Sequence, residues 1–369
     1  MRCPGGCHVV WPGRACSYGG VAMQRPHQFE SMCPWVVLVA VCTSCAGPGS
    51  FGGPLPVRNQ HPAQLQVMQM LPAGAATLPA GGTLARVGTS WTSMFLGYDD
   101  GAGNSFLMDG EILEVRPEAR IGLSEGLQLG VEVPVAHTSG GVMDSFLIDW
   151  HDFWGMPDQD RDSSPRDAWD VYATRGGTEV YRMDAEPLEL MDVPWTLTLG
   201  LVDPAQGGFG LAVRGGVELP TGDVDRGLGS GSLDASAGVL LEQRFDCVRV
   251  HGWTQYTAAG VDGTTGNAPD GEDVFEDVAH AGLGAEWMLA GGLAAVGQVT
   301  WETSTLRDLG FDRVSRDQVL LWVGGRFWLG KGWHAEAAFC EDLNGYVSPD
   351  FSVYAGVSWT PGTAAKAAP

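Results

Sequence analysis

The sequence predicts an all-β fold, a single antiparallel up-and-down transmembrane β-barrel of about twelve strands with one long loop carrying a short helix. Three observations predict it. Apolar and polar residues alternate over segments of about ten residues or more, long enough to cross a bilayer when tilted. The connections between these segments run short, long, short, long, as in barrels with tight periplasmic turns and larger outer loops. Aromatic residues gather near segment ends, where amphipathic rings favour the headgroup level. A soluble β-sandwich is the competing architecture, because outward apolar stripes also pack between two sheets, yet it gives no reason for the loop rhythm.

The formal net charge of −23 argues against a nucleic-acid partner, which needs clustered Lys and Arg. Six of the eight cysteines, Cys3, Cys7, Cys16, Cys33, Cys42 and Cys45, precede residue 46, so the body of the chain has no disulfide framework. Residues 1–46 read as a signal peptide or lipoprotein signal: Arg25 in a short polar stretch, an apolar run from Trp35 to Val41, then small residues. On this reading the first 22 or 31 residues are translated from upstream of the real start. Val41-Cys42-Thr43-Ser44-Cys45 resembles a lipoprotein signal, with Cys45 as lipid anchor and cleavage near Ala46 as the alternative. Either way the protein is exported. Residues 47–82 read as a Pro/Gly-rich periplasmic tether, 83–361 as the barrel and 362–369 as a disordered tail.

Strands are expected to begin near Thr83, Phe106, Gly126, Pro194, Gly208, Gly231, Cys247, Val274, Gly292, Asp317, Gly332 and Asp350. Alternation is plainest in Leu127, Leu129, Val131, Val133 and Val135, and again in Phe209, Leu211, Val213, Val217 and Leu219. Short turns fall at Ser124-Glu125, Asp203 to Gly207, Asp246, Gly291 and Lys331. Longer loops fall at Gly97 to Ser105, His137 to Val193, Thr221 to Ser230, Val261 to Asp273, Leu306 to Arg316 and Asn344 to Pro349. Trp195, Phe209, Trp287, Trp328, Trp333 and Phe351 lie near strand ends, with Trp328 and Trp333 expected side by side across the Lys331 turn.

The opposite parity then lines the lumen, above all Glu114, Arg116, Glu118, Arg120, Glu132, Arg214, Glu218, Glu286, Arg326 and Glu336. Charges in such number cannot face hydrocarbon, where a midplane Arg costs roughly 2 to 4 kcal/mol. Six of these ten are acidic, so an open pore would favour cations; a cross-lumen Arg and Glu network filling the bore is the equal alternative. The irregular segment from His137 to Val193 contains one amphipathic helix with Asp149, Trp150, His151, Asp152 and Trp154, expected to gate or plug the barrel. Asp158, Asp160 and Asp162 do not make an EF-hand, because Ser163 replaces the loop glycine and Trp169 the final Glu. No cofactor, metal or catalytic constellation is implied. The expected partners are outer-membrane lipid and a small solute, with oligomeric state unread.

Gly53 to Pro62, Asp109-Gly110-Glu111, Gly130 to Pro134, Ser139 to Gly141 and Asp149 to Pro157 together resemble an uncharacterised bacterial family, the domain of unknown function 3187, over about residues 53 to 360. The resemblance implies a Gram-negative envelope barrel and no chemistry. Three functions follow: an outer-membrane channel or uptake barrel, an outer-membrane lipid-modifying enzyme, and a plugged structural or assembly barrel.

Overall fold

The computed structural model describes residues 52–154, 165–206, 208–266, 271–289, 292–306, 314–344, 348–349 and 351–361. The strands are β1 (Thr83–Asp99), β2 (Ser105–Ser124), β3 (Leu127–Glu132), β4 (Val135–Ser139), β5 (Asp170–Arg175), β6 (Thr178–Met183), β7 (Glu189–Leu190) and β8 (Val193–Val202). They continue as β9 (Phe209–Leu219), β10 (Asp234–Arg244), β11 (Val248–Ala258), β12 (Val278–Met288), β13 (Leu293–Glu302), β14 (Gln318–Gly330), β15 (Trp333–Asp342) and β16 (Phe351–Trp359). One helix, α1 (Asp144–Trp154), precedes β5. Neighbouring strands pair antiparallel, and β16 returns to β1 from Ala85↔Trp359 to Ser93↔Phe351. The result is a closed antiparallel barrel of 12 strands, counting β3 and β4 as one strand broken at Pro134. Proline has no N–H for the ladder, which explains the break. Among the described residues all strands belong to this one closed sheet, so the sandwich alternative falls.

Side chains divide by parity. On β11, Arg249, His251, Trp253, Gln255 and Thr257 are buried, while their neighbours are partly or fully exposed. The outward stripes of Val87, Ile121, Leu197, Leu199, Leu241, Leu283, Val323, Phe327, Phe339 and Val357 remain exposed in the isolated chain, as a lipid-facing belt does. Trp333 and Trp359 pair outside, with ring centroids 6.0 Å apart, at the short-turn end. At the long-loop end Trp301 donates to Asp317 (3.1 Å) and the Tyr256 hydroxyl to Asp277 (2.5 Å), so each ring stays in the belt while its polar atom reaches the rim. Trp328 and Trp333 do not sit side by side. Trp328 shares the inward parity of Arg326 and meets His334, at 5.4 Å, whereas Trp333 faces out.

Among its described residues, the expected irregular segment holds the foreseen helix and more. It contains α1 and a β5–β6 hairpin, which extends the upper end of β2 through Ser105↔Thr174 to Asp109↔Asp170. Asp192, between β7 and β8, ties this rim together by accepting the amides of Gly222 (2.7 Å) and Ser230 (2.9 Å). Burial pushes its carboxyl up from 3.8 to about 6. The folded chain therefore holds that proton more tightly than the unfolded chain. This contribution to stability is complete below the unfolded value and is lost as pH rises through about 6. Amide exchange at Gly222 and Ser230, corrected for intrinsic rate, should be slower at pH 5 than at pH 7.5, and Asp192→Asn should flatten the difference.

α1 lies on the outside of the wall, so the gate or plug expected of Asp149 and Asp152 is not where the structure places them; both are exposed on the helix. Trp150, His151 and Trp154 belong to the same helix, with side chains outside the described residues. The reason is Glu111, which pairs with Ser93 on the outward face between β1 and β2. Its carboxylate accepts the amides of Val142 (2.7 Å) and Met143 (2.5 Å) and the Trp91 indole N–H (2.7 Å). The helix start thus gives hydrogen bonds to a carboxylate that would otherwise face lipid. Gly141 makes this approach possible: it sits at φ +76, and a Cβ there would fall 1.9 Å from the Glu111 carboxyl carbon. Glu111→Ala removes the shared acceptor of three donors, of which the Met143 amide is buried, at roughly 1 to 3 kcal/mol for a buried group left unpaired. Protease digestion of intact proteoliposomes should then cut the Gly140 to Trp169 segment several-fold faster than in the parent.

Candidate functional site

The lumen is occupied. Residues 53–73 are buried without interruption, although residues 47–82 read from sequence as a periplasmic tether. They form an inverted U inside the barrel. From Gly52, at the short-turn end, the ascending arm climbs along β12 to β15. A short 3₁₀ turn at Gln64–Gln66 reverses it near the long-loop end. The descending arm then passes β9 to β11 and leaves beside the β2–β3 turn, where Leu78 N–H donates to Gln128 (3.0 Å) and Gly81 N–H to Gly122 C=O (2.8 Å).

A segment with no strand partner must satisfy its backbone elsewhere. Wall side chains do this. Glu286 accepts the amides of Gly52 and Gly53 (3.1 Å each), and Gln298 exchanges bonds with Leu55 N–H (2.9 Å) and C=O (3.2 Å). On the other arm Asp234 accepts Met68 N–H (3.0 Å), Thr257 donates to Met68 C=O (2.9 Å), and Arg214 donates to Leu71 C=O (2.7 Å). Asn59, Gln64 and Gln69 all donate to Glu302, the last two at 2.9 and 2.6 Å. Arg58 braces the two arms by donating to the carbonyls of Gln64 (2.8 Å) and Val67 (3.2 Å). Gly53, at φ +93, takes a backbone conformation disfavoured for other residues.

Apolar contacts complete the fit. The tip residues Ala63, Leu65 and Val67 pack with Met94, Phe106, Ile112, Met191, Phe275 and Leu306 beneath the outer loops. Leu55 and Val57 pack against Trp322 and Tyr354, while Ala73 and Ala75 meet Leu240 and Trp253. Between the insert and the wall near Arg58, Arg86 and Glu114 a cavity of only about 10 Å³ remains, roughly the room of one water. Of the two interiors the sequence left open, the bore is filled, and residues 53–75 fill it together with the wall side chains.

The ten lumen-facing candidates all point inward. They fall into three groups. Arg326 donates to Glu336 (2.8 and 3.0 Å), to Glu286 (2.5 Å) and to Gly53 C=O (3.0 Å), and Arg86 links Glu336 (3.5 Å) to Glu118 (2.8 Å), which also pairs with Arg120. Arg116 joins Glu132 (2.9 Å) and Glu114, which also accepts from Gln60 (2.9 Å). Arg214 and Glu218 lie on β9, with Arg214 turned to the insert. Sequence reasoning missed the inner segment itself, and with it Arg58, Asn59, Gln64 and Gln69. Cys45 and the Asp158 to Asp162 acidic run lie outside the described residues. Among the described residues no cluster of His, Cys, Asp or Glu has the arrangement to hold a metal ion.

Residues 31–360 match the family described as Protein of unknown function (DUF3187). The chain belongs to that family. Its inner segment begins with the first motif that carried the resemblance, Gly53 to Pro62. No curated protein matches the DUF3187 chain. Among solved structures it is similar to an outer membrane channel from Pseudomonas putida F1, at 12% identity and TM-score 0.51, with 79% of this chain and 100% of that chain covered. It is also similar to the NanC porin, at 9% identity and TM-score 0.43, with 75% and 98% covered. The first likeness shows that the fold is that of outer-membrane barrels.

Proposed function

We propose that this protein is an outer-membrane channel for a small solute, held shut by its own residues 53–75. The short-turn end is then periplasmic and the long-loop end faces out. The observation that carries the reading is the manner in which the insert is held. Its backbone is fixed by separate side chains on β9 to β14 and never joins the sheet, so it can leave without disturbing a single strand pair. Once it leaves, the wall it covers is a row of carboxylates and guanidinium groups able to line an aqueous path. Six Glu against four Arg among the inward candidates favour cations.

The test is the reversal potential of single openings in planar bilayers under a potassium chloride gradient. Cation preference is expected, and Glu132→Gln combined with Glu218→Gln should move the reversal potential toward zero. An unchanged potential removes the wall charges from the permeation path. No conductance from either the full chain or a chain lacking the insert removes the channel.

A further inference from the structure

We propose that α1 is a lipid-interface helix whose outer face sits among the acyl chains of the leaflet at the long-loop end. The wall side of this helix is apolar, and its outer side carries two exposed rings with the exposed Asp149 beside them. Met143 and Leu147 are buried against the wall, while Phe146 and Phe153 are 51% and 75% exposed. Seven positions apart on a helix, these two rings fall within about 20° of one another. Val142, just ahead of the helix, is 72% exposed. An apolar face of this kind in water is a liability unless a partner covers it.

The partner is identified by what adjoins the face. Phe146 packs edge-on against Phe351, at 6.5 Å, and Phe351 belongs to the outward row of β16 that continues through Val353 and Val357. The exposed side of the helix is therefore continuous with the stripe that meets hydrocarbon. Height agrees: Glu111, which anchors the helix start, lies about ten residues above Ile121 on β2. At roughly 3.3 Å per residue and a tilt of about 40°, that is about 25 Å, the full height of the apolar band. The polar groups suit the boundary too. Asp144 is turned away to accept the Asp167 amide (2.8 Å), and the exposed Asp149 and Asp152, about 40° and 100° round the helix from Phe153, form the edge that would face headgroup water.

This inference rests on the barrel lying in a membrane, and not on its conducting. The test places the photoreactive residue benzoylphenylalanine at Phe153, at Leu283 in the lipid-facing belt, or at Met70 in the insert. Each full-length protein is reconstituted in phosphatidylethanolamine and phosphatidylglycerol vesicles, illuminated and analysed by mass spectrometry for phospholipid adducts. The yield at 153 is expected within about threefold of that at 283 and about tenfold above that at 70. Labelling at 283 with none at 153 overturns the interface helix while leaving the barrel reading intact. Absence of labelling at both 153 and 283 overturns the two together.

Discussion

Deleting residues 53–75 is expected to turn a barrel that is closed for most of the time into one that conducts steadily. The wall does not need the insert for its own pairing. The ladder from β1 around to β16 is closed by strand contacts alone. The main ion pairs, Arg326 with Glu286 and Glu336, Arg86 with Glu118, and Arg116 with Glu132, are internal to the wall. Water entering the vacated space can replace the bonds that Asp234, Gln298 and Arg214 make to the insert. The open fraction in planar bilayers should rise at least tenfold, which needs a bias of only about 1.4 kcal/mol against the shut state. Slower migration of boiled than unboiled protein in a detergent gel checks that the barrel survived. A deletion chain that keeps that heat-dependent mobility yet stays silent sinks the gating role.

The second large effect is expected at Arg326. It is buried, and its guanidinium serves two carboxylates and the Gly53 carbonyl at once. A Cβ on Gly52 would fall 2.4 Å from its guanidinium carbon, so the arm passes directly over it. Arg326→Ala leaves Glu286 and Glu336 with one cation fewer between them, a loss of about 3 to 5 kcal/mol for a broken buried pair. The temperature at which unboiled mobility is lost should fall clearly. Openings should become more frequent, because the foot of the ascending arm loses the Arg326 bond to Gly53 and keeps only Glu286. Arg326→Lys keeps the charge without the forked geometry and should lie between. Parent-like mobility and gating in Arg326→Ala would show that the arm is held elsewhere.

The wall of this molecule was legible because a membrane barrel imposes a period of two. Glu114, Arg116, Glu118 and Arg120 could face only one way once Leu113, Val115 and Ile121 faced lipid, and the loop rhythm fixed the strand count. The insert has no such period. Pro54, Pro56, Pro62 and Pro72 prevent any ladder, so residues 53–75 resembled a linker. A signal was present nonetheless: from Gly52 to Gly82 the single charged residue is Arg58, whereas a solvated tether has no reason to exclude charge. Interleaved Leu65, Val67, Met68 and Met70 with Gln64, Gln66 and Gln69 describe a chain whose amides bond to something buried. The outward Glu111 broke the parity rule for a local reason: its partners, Trp91 and the start of α1, come from separate parts of the chain.

Both limbs of the insert leave by one mouth. A single strand passed through the ring would be threaded, and removing it would mean drawing an entire terminus across the membrane. A doubled loop obeys a different topology: it can slide in or out like a piston after the ring has closed, and the seam between the first and last staves never has to part. In the proposed channel, assembly and opening can therefore use the same reversible stroke, driven from the side on which the short turns lie.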